Sequence, residues 1–255
     1  MYFSGNDRHT ANGEWHTGLA VAASPTGPFR VQDNIEGNYL NGGTTVWQGH
    51  LWHVVENNPV QGTDVHSELS ISSDGIHWHH QASLPGFTTK GITYRGADFF
   101  LEPEGTRLGV YMLAVPSAGG IGRSLAFASF SNGHWSGFHI ILNIKSVASL
   151  HWASADLGEP ATFYAGDTHN LLFVGLAQHK LTRSIGLARE STTGWIVCSN
   201  VPATSNTARW GPASSIDPSP LIVDSRLYLY YGATRTAGLA ANLGGSISVR
   251  IFAQP

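Results

Sequence analysis

Apolar and polar positions alternate along most of the chain in short runs, each closed by a turn rich in Gly, Asn, Asp or Thr. A period of two is the signature of a half-buried β-strand. Residues 216–235, IDPSPLIVDSRLYLYYGATR, display the unit in full: Asp-Pro, an apolar run, a polar turn at Asp224-Ser225-Arg226, and a second run from Leu227 to Tyr231. Two β-rich runs joined by a short polar turn predict a hairpin. The unit recurs as EPATFYAGDTHNLLFVGLA from Glu159, DFFLEPEGTRLGVYMLAV from Asp98 and NGGTTVWQGHLWHVVE from Asn41. Asn41, Asp98 and Asp217 each stand ten residues before the leucine that opens the second run (Leu51, Leu108, Leu227), and Glu159 stands twelve before Leu171. This spacing predicts one structural position for Asn41, Asp98, Glu159 and Asp217.

A third run follows each hairpin: SELSISSDGIHW from Ser67, SLAFASFSNGHW from Ser124 and SIGLARESTTGW from Ser184. TGLAVAASPTGPF from Thr17 is a fourth version, with Phe29 in the place of the Trp. Each reads as a strand, a tight turn and an aromatic that opens a fourth strand. A repeat of 45 to 60 residues built from about four antiparallel strands predicts an all-β, five-bladed β-propeller. The blades are expected at 1–35, 36–88, 89–143, 144–203 and 204–255, forming a single domain over 1–255. The register leaves the first blade without its inner strand and the last without a fourth. Either the chain is a piece of a polypeptide with about 20–30 further N-terminal residues, or the last blade closes directly on the first.

Composition narrows the function. Charged residues make up 12% of the chain and the formal net charge is −3, with no run of Lys or Arg; a nucleic-acid partner is not expected. The lone cysteine, Cys198, rules out an internal disulfide and is expected as a small buried apolar residue. No apolar run approaches a membrane-spanning length, so no membrane partner is expected. The N-terminus lacks a signal-peptide pattern, which fits a cytoplasmic protein or one whose leader has been removed.

The candidate chemistry sits on the inner strands, which line the channel of a propeller. Asp98, Glu159 and Asp217 would face a common space, where like charges raise at least one pKa. One proton-holding and one ionised carboxyl are the equipment for general acid–base work and for glycoside hydrolysis. Trp47, Trp152 and Trp210 offer aromatic faces to a sugar or pack the blades. Arg95 and Arg209 could hydrogen-bond sugar hydroxyls or hold a carboxylate, and His151 could face the channel. Asn41 joins these as a candidate substrate contact. No spaced His/Cys/Asp cluster argues for zinc, and the other twelve histidines are expected mostly on loops and turns, solvated at the surface.

DPSPLIVDSRLYLYYGA, YRGADFFLEPEGTRLGVYML, EPATFY and the SSDGIHW turn together resemble the five-bladed propeller glycoside hydrolases, family 43 in particular, with families 32 and 130 as relatives. The resemblance runs along essentially the whole chain. It implies a hydrolase of plant-type glycans with arabinofuranosyl or xylosyl linkages, a carbohydrate as partner, and inversion by direct attack of water. It implies Asp98 as the residue that tunes and orients, and Glu159 as general acid. The family's base belongs to the first inner strand, so Asp217 either substitutes for that base or is an unrelated inner-strand Asp. No cofactor is required, although some family-43 propellers hold a structural calcium ion in the channel. The family's Glu stands two residues before a Pro, whereas Glu159 directly precedes Pro160; a one-residue slip on a strand would turn the side chain away. A carbohydrate-binding propeller without turnover is the alternative. A sialidase is a weaker fit, because residues 72–78, SSDGIHW, do not match the Asp-box spacing.

Overall fold

The structure, a computed structural model, describes residues 1–6, 15–37, 39–57, 66–117, 123–177, 182–204, 214–234 and 246–253. It is a five-bladed β-propeller with its strands in five sheets. The first sheet is β1 (Tyr2–Asn6), β2 (Trp15–Val21) and β3 (Arg30–Gly37). The second is β4 (Tyr39–Trp47), β5 (His50–Asn57), β6 (His66–Ser72) and β7 (His79–Leu84). The third is β8 (Phe87–Thr89), β9 (Ile92–Glu104), β10 (Arg107–Pro116), β11 (Ser124–Ser131) and β12 (His134–Asn143). The fourth is β13 (Asp156–Ala165), β14 (Thr168–Leu176), β15 (Arg183–Ser191) and β16 (Gly194–Val197), and the fifth is β17 (Ser214–Val223), β18 (Arg226–Thr234) and β19 (Ser246–Ala253). Within each sheet, strands pair in chain order.

These sheets follow the repeat read from the sequence. The first blade's three described strands are the second to fourth of the unit, and the last blade's three are the first to third. The short β8 straddles the boundary expected at 88/89. The only helical segment among the described residues is one turn, α1 (Ile144–Val147), capped by the Asn143 side chain, which accepts from the N–H groups of Lys145 and Ser146. By packing, the chain divides into two compact units, Met1–Val110 with Ala128–Phe138, and Tyr111–Phe127 with His139–Pro255.

Burial separates middle strands from outer ones. β10 and β14 are buried along seven consecutive residues each, with apolar side chains on both faces in LGVYMLA and in the LLFVG that follows the buried polar pair His169 and Asn170. β12 instead mixes exposed and half-buried positions, as expected of an outer strand with one wet face. The first unit centres on Val54, Leu69 and Leu108, all fully buried. The second centres on Leu125, Leu171, Phe173 and Ile185, also fully buried.

Trp152 shows how the fourth blade is sealed. Its indole stacks on Phe173 at 5.6 Å between centroids, and its N–H donates to the Asn200 carbonyl at 3.1 Å. Two glycines make room for it. A Cβ at Gly186 would collide with the indole and lie 2.8 Å from Phe173 Cζ. Gly186→Ala should therefore destabilise the fold by about 1–3 kcal/mol through overpacking. Gly158→Ala, where a Cβ meets nothing within 4 Å, should be close to neutral. Denaturant midpoints of the two variants against the parent check this, and equal midpoints for both would contradict it.

Candidate active site

The inner strands of the second, fourth and fifth blades break register at the same place. The β4/β5 ladder is interrupted between Leu40 and Gly43, β13/β14 between Gly158 and Ala161, and β17/β18 between Ile216 and Ser219. Asn41, Glu159 and Asp217 are each the first residue of that interruption. Asp98, Glu159 and Asp217 also share a left-handed backbone, with φ of 46°, 51° and 51°. A side chain in this region costs about 1–3 kcal/mol and persists only where its surroundings impose it; Asp tolerates it better than Glu. A bulge also re-aims the side chain out of the strict strand alternation. Pro160 therefore does not turn Glu159 away, since Asp217, which also precedes a proline, adopts the same geometry.

Carboxylates accept the backbone N–H groups of two of these left-handed residues. In the second unit, the Asp217 N–H donates to Glu159 Oε2 at 2.8 Å, and Arg183 Nη1 lies 3.5 Å from Glu159 Oε1. The Glu159 side chain is 12% exposed. In the first unit, the Asp98 N–H donates to Glu56 Oε1 at 3.0 Å, and Arg95 Nη1 lies 3.7 Å from Glu56 Oε2. At 3.5 and 3.7 Å the guanidinium groups act as nearby charges rather than as hydrogen-bond donors. Close by in the second unit, Arg123 Nε pairs with Asp156 Oδ2 at 2.9 Å. Burial raises the pKa of Asp156 above the usual carboxylate range, and Arg123 opposes that rise.

Asp217 has a distinct setting. Gly232, opposite Ile216 in β18, lies beside it; a Cβ there would crowd Ile216 Cγ1 at 2.9 Å and reach Asp217 Oδ2 at ordinary contact, 3.5 Å. The residue is exposed to solvent, yet desolvation by surrounding protein pushes its pKa up to about 6, with the Arg183 charge opposing. The upward direction follows from desolvation, and the water that reaches the group moderates its size.

The other candidates are dispersed. Trp47 is 6% exposed; its indole N–H donates to the Gly105 carbonyl at 3.0 Å and its ring lies 5.1 Å from Trp52. Trp152 packs as described above. His151 is exposed in the turn before β13. Asn41 is placed by its backbone at the register break. Trp210 and Arg209 lie outside the described residues. Among the described residues no group of three or more His, Cys, Asp or Glu could hold a metal ion. A cleft of about 380 Å³ is lined by Arg189, Glu190, Ser191, Ile196, Val197 and Cys198, and no bulge acid borders it.

Two expectations need correction. Cys198 is exposed, because it follows the outer strand β16 instead of lying in a middle strand. Among the described residues the histidines lie mostly on strands, not on loops and turns; most are solvated there, but His53 in β5 and His169 in β14 are 3% and 7% exposed. Burial pushes the His53 pKa down to about 3, so it packs neutral. Glu56, Asp156, Arg123 and Arg183 went unremarked in the sequence. For the arginines a signal was there: a basic residue followed by Ser or Thr opens the third strand of four blades, at His16-Thr17, His66-Ser67, Arg123-Ser124 and Arg183-Ser184. The Ser or Thr is buried in every case.

No family model matches the sequence, and no curated protein matches it. Solved structures do match in fold. A thermostable family-43 glycoside hydrolase superimposes with a TM-score of 0.68 at 12% identity, over 98% of this chain and 89% of that one. The β-1,2-mannobiose phosphorylase from Listeria innocua gives 0.67 at 12% identity, over 94% and 67%. An exo-1,5-α-L-arabinanase from a bovine ruminal metagenomic library gives 0.61 at 8% identity, over 96% and 91%. This chain has the fold of the five-bladed propeller glycosidases. At these identities the likeness is one of fold.

The raised pKa of Asp217 makes stability depend on pH. An acid whose folded pKa exceeds its ordinary 3.8 adds stability below that value, and the contribution is lost as pH rises through about 6. Asp217→Asn should therefore gain in thermal midpoint over the parent between pH 4 and 7. A pH-independent difference between the two melting curves would show that Asp217 does not titrate upward.

Proposed function

We propose that this protein is a glycosidase, acting on arabinofuranosyl or xylosyl linkages of plant-type glycans through the carboxyls on its inner-strand bulges. The observation that carries the proposal is the contact between Glu159 and the bulge of Asp217, two acids joined at equivalent positions of successive blades. Hydrolysis with inversion needs one group to protonate the departing oxygen while another takes a proton from the attacking water. Asp217, with its pKa raised by desolvation, is suited to hold the proton at mildly acid pH. Glu159 accepts an N–H at one oxygen and faces Arg183 at the other, which suits the ionised partner. The family resemblance suggests the reverse, with Glu159 as acid; the pair is the same under either assignment. Asp98 serves as the tuning carboxylate.

A binding propeller without turnover is the second reading. The observation favouring it is that both Glu159 oxygens already face groups of the protein itself.

The test is a screen of aryl-arabinofuranosides, aryl-xylosides and the corresponding oligosaccharides, with Asp217→Asn and Glu159→Gln in parallel. The variant lacking the proton donor should lose about 10²–10⁴ in rate on oligosaccharides and much less on activated aryl substrates. The variant lacking the base should lose on both. Asp217→Asn is expected in the first class. A parent protein that binds these glycans and hydrolyses none of them would establish the binding reading instead.

A further inference from the structure

The N–H of Asp98, a left-handed residue of β9, is accepted by Glu56. We infer that Glu56 is a positioning residue: its carboxylate seats the Asp98 backbone N–H and thereby fixes the left-handed turn of the strand from which the Asp98 side chain departs. What Asp98 then does rests on the glycosidase reading above; the seating does not.

The two left-handed residues with a described seat, Asp98 and Asp217, are held by different routes. In the fourth blade the accepting carboxylate belongs to the bulge residue itself, Glu159, and the guanidinium facing it comes from Arg183 at the start of β15. In the second blade the bulge residue is Asn41, and the acceptor comes from the strand across the ladder, where Glu56 pairs with Leu40. The positions matching Glu56 in the fourth and fifth blades are Val174, opposite Gly158, and Gly232, opposite Ile216. Neither carries an acid. The guanidinium facing Glu56 comes from Arg95, on β9 itself and three residues before Asp98. Strand and sequence position therefore differ between the two sites. What recurs is the contact: a carboxylate on the N–H of the next blade's left-handed acid, at 2.8 and 3.0 Å, with an arginine 3.5 and 3.7 Å behind it. A by-product of the repeat would sit at the same repeat position each time; this arrangement does not.

The burial of Glu56 supports the same conclusion. It is 6% exposed, and a buried carboxylate is costly unless paired and hydrogen-bonded. Its guanidinium partner is loosely held, since Arg95 Nη1 is buried and makes no hydrogen bond. A well-packed apolar residue would fill the place at lower cost. The acceptor is retained where the next strand turns its N–H out of the ladder at a left-handed residue.

Amide hydrogen exchange by NMR, read at Asp98 in the parent, Glu56→Gln and Glu56→Leu, tests the inference without reference to activity. Glu56→Leu should speed exchange at Asp98 about tenfold or more, as loss of a charge-assisted hydrogen bond implies. Glu56→Gln, which keeps an acceptor, should stay within a few-fold of the parent. If Glu56→Leu does not fold, Glu56→Asp, one methylene short of the N–H, replaces it with the same expectation. Unchanged exchange at Asp98 in the folded acceptor-less variant overturns the inference. On whichever glycan the parent hydrolyses, Glu56→Leu should lower kcat about 10- to 100-fold with little change in KM, and Glu56→Gln should recover most of the loss. A loss that merely tracks the folded fraction of each variant also overturns it. A parent inactive on every glycan would defeat the glycosidase reading alone, and exchange at Asp98 would still decide the role of Glu56.

Discussion

The interaction on which the site depends is a backbone one. At the left-handed residues Asp98 and Asp217 the backbone N–H turns to a side-chain acceptor, and a backbone N–H left without a partner is costly where water is kept away. In this protein the acceptor is a carboxylate, Glu159 for Asp217 and Glu56 for Asp98. The bond offsets the strain of placing an acid at φ near 50°. It also fixes where that acid's side chain starts. Left-handed residue, acceptor and guanidinium form one local device, and the rest of each blade serves to hold it in register.

The blades do this through the contrast between their strands. The middle strands β10 and β14 are buried on both faces and set the position of everything paired to them. The inner strands β13 and β17 pair regularly with β14 and β18 on both sides of the interruption, with the register shifted by one residue across it. Rigid support on either side of an irregular position is what a pre-organised polar site requires. Chemistry then follows from environment: Asp217 and Glu159 are in contact, but desolvation acts on one, while an N–H and a guanidinium face the other.

Much of this was legible in the sequence. The ten-residue spacing from Asn41, Asp98 and Asp217 to the next strand's leucine located these positions, and the longer spacing from Glu159 to Leu171 did not break the equivalence. The architecture followed from the repeat. Glu56 could not be found that way, because it reaches its target from a position that carries Val174 and Gly232 in other blades, and a repeat alignment has nothing to match. Arg123 and Arg183 could have been found from the basic-Ser/Thr pair that opens the third strand. The tryptophans misled for a physical reason. An indole suits a sugar face and a blade interior equally, and Trp47 and Trp152 take the second role here, with their N–H groups bonded to backbone carbonyls.

The central claim is the proposal that Glu159 and Asp217, at the bulges of β13 and β17, belong to a sugar-binding site. Its most direct test is a crystal structure of the protein with a thio-linked, non-hydrolysable arabino-oligosaccharide. The account predicts a sugar oxygen within about 3.2 Å of the Asp217 carboxyl, with φ at Asp217 still left-handed. Sugar bound only along the outer strands, as in the cleft beside Arg189 and Ile196, with the bulge acids untouched, would contradict it.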